Sequence, residues 1–530
     1  MASDDRLTAG VQTPYSSADL QQALAAWSQV LGAQQVCWDP QTIADYARTT
    51  LPRGTTPAAV VRPDSARQVQ QVVQVAARLR IPLYPISRGK NWGYGDACAP
   101  TDGQVIVDLS RMNRICEVNT DLAYAVIEPG VTQGQMYQYL REQQIPLILD
   151  VTGAGPDASI MGNTLARGFG HTPYGNHFAH IAGMEVVLRD GRIINTGYAA
   201  LRDAQADRVF PWGLGPYVDG LFTQSNLGIV TQMGVWLVPA PQTVLGFAFK
   251  VPRDEDITAV VEAIRQLRLS GTVQSTVHMA NDLRVISARR RYPWGLTGGQ
   301  TPLPDDVRAA LRRAAGIGAW NVMGGLYGTR QQVAASRRAV RQRIGRLAHV
   351  HFFGATKIRW AHRVVRALGR TAFGRSLGEM VDSAESVYKL LVGNPTAEHM
   401  SGVFWRTRPE TVVDFSDPLF SGSIWLSPVL PLTSTHARRV LDIVEPIWRD
   451  HGFSLLATIT AITERAGVAV LSICFDHNQP GEPERAAACY KTAFEALATA
   501  GYYPYRLGIQ STNALEPFRR EPLADFTIRI

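Results

Sequence analysis

The sequence predicts an α+β chain of two domains, and three observations carry that expectation. With 530 residues the chain is too long for one ordinary core. From about residue 57, short apolar runs alternate with a helical period and then give way to hairpins. From about residue 242 the pattern starts afresh with its own strand, helix and β-α-β succession. Hydrophobic residues make up 45% and charged residues 18%, which excludes a largely disordered chain.

The elements follow in order. Asp19 to Leu31 places Leu20, Leu24, Trp27 and Leu31 at helical spacing. AAVVRP (58–63) reads as a short strand closed by proline. Ser65 is positioned to cap a helix through about Leu79, whose apolar face is Val69, Val72, Val73 and Ala76. IPLYPI (81–86) and QVIVDL (104–109) are strands on either side of a glycine-rich loop. EVNTDLAYAVIEPGV and MEVVLRDGRIINTG read as hairpins, the second turning at Asp190-Gly191 where positive φ is needed. LGIVTQMGVWLVP (227–239) is a further strand. Beyond Gln242, FAFKVP and Ile257–Leu267 form a strand and helix, and a basic helical stretch spans roughly 331–371. SGSIWLSPVLP (421–431), Thr435–Arg449 and AVLSICFD (469–476) then read as β-α-β. The expected domains are 1–241 and 242–499. Residues 500–530 show no core of their own and are expected to return to the first domain.

Five scattered cysteines (Cys37, Cys98, Cys116, Cys474, Cys489) without a CxxC pair exclude a disulfide scaffold and a tetrathiolate zinc site. No secretory signal and no apolar run of about 18 residues is visible, so the expectation is a soluble, cytoplasmic protein. The net charge of +8 is unevenly distributed. Asn281–Arg370 holds 18 Lys+Arg against three acids, a balance of +15 that leaves −7 for the remainder. Arg359, Arg363, Arg366 and Arg370 share one helical stripe. Such a segment is a solvated face, or it docks an acidic protein or an anionic membrane surface. No nucleic-acid motif accompanies it, so no nucleic-acid partner is expected.

Two stretches carry chemistry. Pro85–Gly95 (PISRGKNWGYG) leaves a strand with three glycines, a serine and two cations. Its exposed amides, Arg88 and Lys90 suit a pyrophosphate, the plain alternative being a tight surface turn. Val151–Asn163 and Arg167–Gly175 are dense in small residues that let the backbone approach a flat or extended ligand. Neither is a Rossmann GxGxxG or a P-loop. His171, His177 and His180 lack a carboxylate cluster, so no metal is expected.

PISRGKNWGYG, VDLSRMNRICEVN, AYAVIEPGVT, SIMGNTLARGFGHTPYGNHFAHIAGMEVVL and LFTQSNLGIVTQMGVWL together resemble the vanillyl-alcohol oxidase and para-cresol methylhydroxylase family across about residues 57–240. GYYPYRLG resembles that family's C-terminal phenol-binding pair. The resemblance implies a PCMH-type FAD-binding domain of two subdomains beneath an α+β (ferredoxin-like) cap. The enzyme would be an FAD-dependent oxidase or dehydrogenase, and a homodimer. It places the FAD phosphates along Ile86, Ser87, Arg88, Gly89, Lys90 and Asn91, and the opposite face along Thr152, Gly153, Ser159, Ile160, Gly162 and Asn163. Gly170, His171, Thr172, Ile229, Val230 and Arg506 are further FAD contacts, with Ile229 and Val230 equally readable as strand core. Tyr94, Tyr505 and Arg506 match the groups that hold a phenolic substrate as phenolate. That anion pushes electron density to the para carbon and assists hydride departure to flavin N5.

Two departures stand out. The family's flavin-linking histidine is matched by Ser423, four residues before Ser427-Pro428, and no histidine occurs in 45–57, so FAD is expected to bind without a covalent link. The aspartate that family oxidases hold beside N5 has no clear match. Asp150 corresponds to a non-catalytic position, which leaves Asp157 as the candidate base, and Val468 and Ala469 replace paired cap histidines. The alternatives are oxidation of a non-phenolic alcohol or 2-hydroxy acid, and a flavin-fold binding protein without catalysis.

Overall fold

The computed structural model describes residues 14–518 apart from 370 and 416, so Arg370 and the end of the C-terminal segment lie outside the described residues. The first strand–helix pattern folds into a four-stranded sheet. Ala59–Val61, Val105–Asp108 and Leu83–Ile86 run parallel, and Val36–Cys37 pairs antiparallel on the edge. Helix Ser17–Leu31 buries Leu24 and Trp27 against helix Ala66–Leu79, which presents Val69, Val72 and Ala76 as its spacing requires. Ser65 stands at the N-cap of the latter, but its side chain makes no capping hydrogen bond. The hairpins assemble into a five-stranded sheet around Gly228–Trp236 and Ile181–Leu188.

The second part is built on one eight-stranded sheet, antiparallel throughout. Its order departs from the β-α-β reading because strand Leu456–Ala461 inserts between Val277–Asn281 and Ala466–Phe475. The expected basic helix over 331–371 is two helices, Arg330–Ile344 and Ala355–Leu368. Strand His351–Phe353 interrupts them, because its aromatic pair joins the sheet edge beside Thr243–Val251.

One face of this sheet, including Phe247, Val277, Met279, Ile459, Leu471 and Ile424, packs against helices Ile257–Leu269, Ser434–Asp450 and Glu482–Thr499. Strand alternation puts His278, Ala280, Thr458, Thr460, Val470 and Trp425 on the other face. That face meets the glycine loops. Thr276 Oγ1 donates to Gly170 O at 2.6 Å, and Trp425 N donates to Gly93 O at 3.2 Å. Among the described residues no helix is long and apolar enough to cross a membrane.

Candidate active site

The two small-residue stretches converge although some 70 residues separate them. Ser87 and Gly162 are so close that a Cβ at 162 would lie 2.3 Å from Ser87 Oγ. The first loop turns at Gly89 and Gly93, both at positive φ, and displays Arg88 and Lys90 half-exposed. Neither cation forms an ion pair among the described residues. Asp96 clamps the loop's far end by accepting from Thr49 Oγ1, Thr50 N and Thr50 Oγ1 at 2.7–2.9 Å. Burial pushes its carboxyl up to about 6.

The second stretch enters a short helix, Ile160–Leu165, capped by Ser159, whose Oγ accepts from Gly162 N at 2.9 Å. Thr152 is tied to Gln133 through its backbone, and Gly153 stays partly open. Asn163, His171 and Thr172 surround Asp150. Its carboxylate accepts from His171 N at 3.0 Å, from Thr172 N and Oγ1, and from His177 Nε2 at 3.1 Å. His177 in turn meets Asn163 Oδ1 at 2.7 Å. Burial opposes ionisation of Asp150, and the bonds to His177 and Thr172 outweigh it, holding the carboxyl below its ordinary range. Gly170 is required beside it, since a Cβ there would lie 1.5 Å from Asp150 Oδ1. Ile160 and Val230 belong to one apolar cluster and Ile229 to another, so their side chains are core.

Tyr94, Tyr505 and Arg506 come together from opposite ends of the chain. The guanidinium carbon of Arg506 lies 3.7 Å from the Tyr94 ring centroid and 5.5 Å from that of Tyr505. Arg506 Nη1 donates to Asn91 Oδ1 at 3.1 Å, and its buried Nε has no partner among the described residues. Tyr94 OH pairs with Ser427 Oγ at 2.8 Å. Tyr505 N donates to Ser427 O, and Gln224 Nε2 donates to Tyr505 O, so both parts of the chain fix the Tyr505–Arg506 segment. Burial raises the Tyr505 hydroxyl well above its ordinary pKa against the pull of Arg506, which keeps it a neutral donor. Burial also works against the Arg506 charge, but the adjoining tyrosine hydroxyls more than offset it.

Asp157 is not brought to this cluster. It is exposed on its loop and makes none of the contacts that join Tyr94, Tyr505 and Arg506. Sequence reasoning missed His278. This cap residue stacks on His171 at 4.5 Å between centroids and bonds Thr460 Oγ1 at 3.1 Å. Only strand alternation in Val277–Asn281 could have signalled it, and that strand was not anticipated.

Residues 57–197 match the family model described as an FAD binding domain. The flavoprotein subunit of 4-cresol dehydrogenase [hydroxylating] from Pseudomonas putida is 31% identical over 92% of this chain and 88% of that protein. The chain belongs to the vanillyl-alcohol oxidase and para-cresol methylhydroxylase family. It is an FAD-dependent oxidoreductase. A second relative of this family member, 1'-carboxy-chondrochloren decarboxylase of Chondromyces crocatus, is 39% identical over 94% of this chain and 92% of that protein. The crystal structure of p-cresol methylhydroxylase with substrate bound superposes with a TM-score of 0.85 at 29% identity, covering 96% of this chain and 93% of that one. The converging loops, their two unpaired cations and the glycine contacts at 162 and 170 fit an extended dinucleotide.

Proposed function

We propose that this enzyme oxidises a para-substituted phenol, held as phenolate by Tyr94, Tyr505 and Arg506. The observation that carries this is the guanidinium of Arg506, its Nε buried, lying against the Tyr94 ring with no carboxylate among the described residues to neutralise it. A phenolate supplies the missing negative charge, and two hydroxyl donors beside it add charge-assisted hydrogen bonds. Bound FAD supplies the two-electron acceptor for hydride from the carbon attached to the ring. Ile86 to Asn91 would hold its pyrophosphate, with the backbone of 152–163 on the opposite side. The linkage position is Ser423, fully buried on strand Gly422–Leu426, so the cofactor is held without a covalent bond. After acid precipitation the flavin should remain in the supernatant, and yellow protein in the pellet would refute this.

A second reading concerns the fate of the oxidised substrate. Loss of hydride from a para-alkylphenolate leaves a quinone methide, which either adds water or takes up an electron pair from a neighbouring bond. Adding water calls for a base. Asp150 is fully engaged, Asp157 is exposed, and Val468 and Val470 are apolar. If the next side-chain carbon bears a carboxylate, its C–C bond breaks and the electron pair forms the alkene. The ring then regains aromaticity and CO2 leaves without any base. The relative named as a decarboxylase supports this outcome.

Anaerobic mixing with 4-ethylphenol and with 3-(4-hydroxyphenyl)propanoate tests both readings. Flavin bleaching by both, with CO2 and the vinylphenol formed from the second, is expected. No bleaching with any phenol would overturn the first reading, and a hydroxylated acid as product would overturn the second.

A further inference from the structure

Arg284 occupies helix Asp282–Ser287, next to the end of the cap face that looks onto the flavin loops. Burial pulls its guanidinium below the ordinary range, as it does for Arg268. Arg268 answers that cost by donating to the carbonyls of Val273, Gln274, Ser275 and Ile462. Arg284 does not. Among the described residues its side chain makes no hydrogen bond and no ion pair, whereas the partly exposed Arg308 meets Asp282 and the buried Arg406 meets Glu482. Its Nη1 reaches Gly402, where a Cβ would lie 2.9 Å away, and Cys474 Sγ contacts Gly402 O at 3.6 Å. Cys474 is the register partner of Ser423, whose fully buried Oγ has no oxygen or nitrogen partner among the described residues and only that thiol beside it. The Nε1 of Trp425, two residues further along, and that of Trp405 are likewise buried and unpartnered. A half-buried cation and three buried donors therefore share one end of the cap, with no carboxylate or carbonyl among the described residues accepting from them. Trp425 also meets the Tyr94 ring edge-on at 5.8 Å, which makes this region continuous with the phenol anchor.

We infer that Arg284 and Ser423 line a second subsite that binds a carboxylate on the para side chain of the substrate. The ring is held at one end by Arg506 and the tyrosines, and the side chain crosses Trp425 toward Arg284. The subsite selects an acid over a neutral alkylphenol and fixes which carbon faces the acceptor. This inference rests on the phenol reading for its substrate, but the pocket itself is testable without a phenol.

The test uses holoenzyme with Arg284→Gln, Arg284→Lys and Ser423→Ala, each checked for flavin content. Dissociation constants from flavin spectral titration are compared for 3-(4-hydroxyphenyl)propanoate and 4-ethylphenol. Arg284→Gln should weaken the acid by about 10- to 100-fold, as expected for a lost charge-assisted pair, and leave 4-ethylphenol within about twofold. Lysine should restore part of the loss, and Ser423→Ala should cost less than Arg284→Gln. Equal weakening of both ligands, or of neither, overturns the assignment. A calorimetric arm with 3-phenylpropanoate, which carries no phenol, separates the two readings. Arg284-dependent binding there supports the pocket even if no phenol reduces the flavin. Acetate binding as tightly as 3-phenylpropanoate would mean a free-anion site and overturn the substrate assignment.

Discussion

The glycine loops and the cap face opposite them solve the same problem of buried polarity in contrary ways. On the loop side, the buried carboxylate of Asp150 has four donors around it, and the glycine at 170 exists to let them approach. On the cap side, Ser423 Oγ and Trp425 Nε1 are buried and, like the half-buried guanidinium of Arg284, find no carboxylate or carbonyl among the described residues. The first region is a finished scaffold and the second is complementary to something it does not contain. A polar network that is internally closed confers rigidity, whereas one left open confers recognition.

Breaking the closed side should have the largest effect. Asp150→Ala strands four buried donors, and by analogy with broken buried pairs it should cost about 3–5 kcal/mol, read as a lower thermal midpoint and loss of bound flavin. Unchanged stability would remove the contrast altogether. Arg506→Ala attacks the open side, and phenol-dependent flavin reduction should fall about 10²- to 10³-fold with little change in stability. Tyr505→Phe should show a smaller loss of the same kind, and unaffected rates in both would refute the anchor.

Asp96 sharpens the comparison through pH. Its folded carboxyl lies near 6 against an ordinary 3.8, so the ionised form is the costly one. Below pH 4 the group is protonated in both states and carries no penalty. As pH rises through 6 the folded protein should lose about 3 kcal/mol from this site. Asp96→Asn should abolish that loss, making the variant relatively more stable at pH 7 than at pH 4 in thermal melts. The smallest effect is expected from Arg359→Glu, Arg363→Glu and Arg366→Glu combined. These exposed side chains lie on a helix whose buried face is elsewhere, and phenol reduction should change by less than about twofold.

What was legible in the sequence follows the same division. PISRGKNWGYG and the run through Asn163 are local, because glycine density and adjacent cations are written in consecutive residues. The Tyr505-Arg506 pair was visible as a motif, and the parallel strands as apolar runs of β-branched residues. Strand Leu456–Ala461 was missed since LATITA is small and weakly alternating. The break at His351–Phe353 was hidden by arginines that keep a helical period on both sides. The state of Asp150 depends on His177, 27 residues away, and that of Arg284 on what is missing around it. An unmet donor is a property of three-dimensional surroundings and leaves no mark on spacing.

The bond between Arg506 and Asn91 joins residues 415 positions apart. A nascent chain on the ribosome therefore has both glycine loops and the whole cap sheet before it has the proposed phenol anchor. The segment that carries Arg506 also packs Tyr502, Leu507 and Ile509 onto the cap core, so a protease that clips the chain after residue 500 should remove the proposed anchor and loosen the cap together.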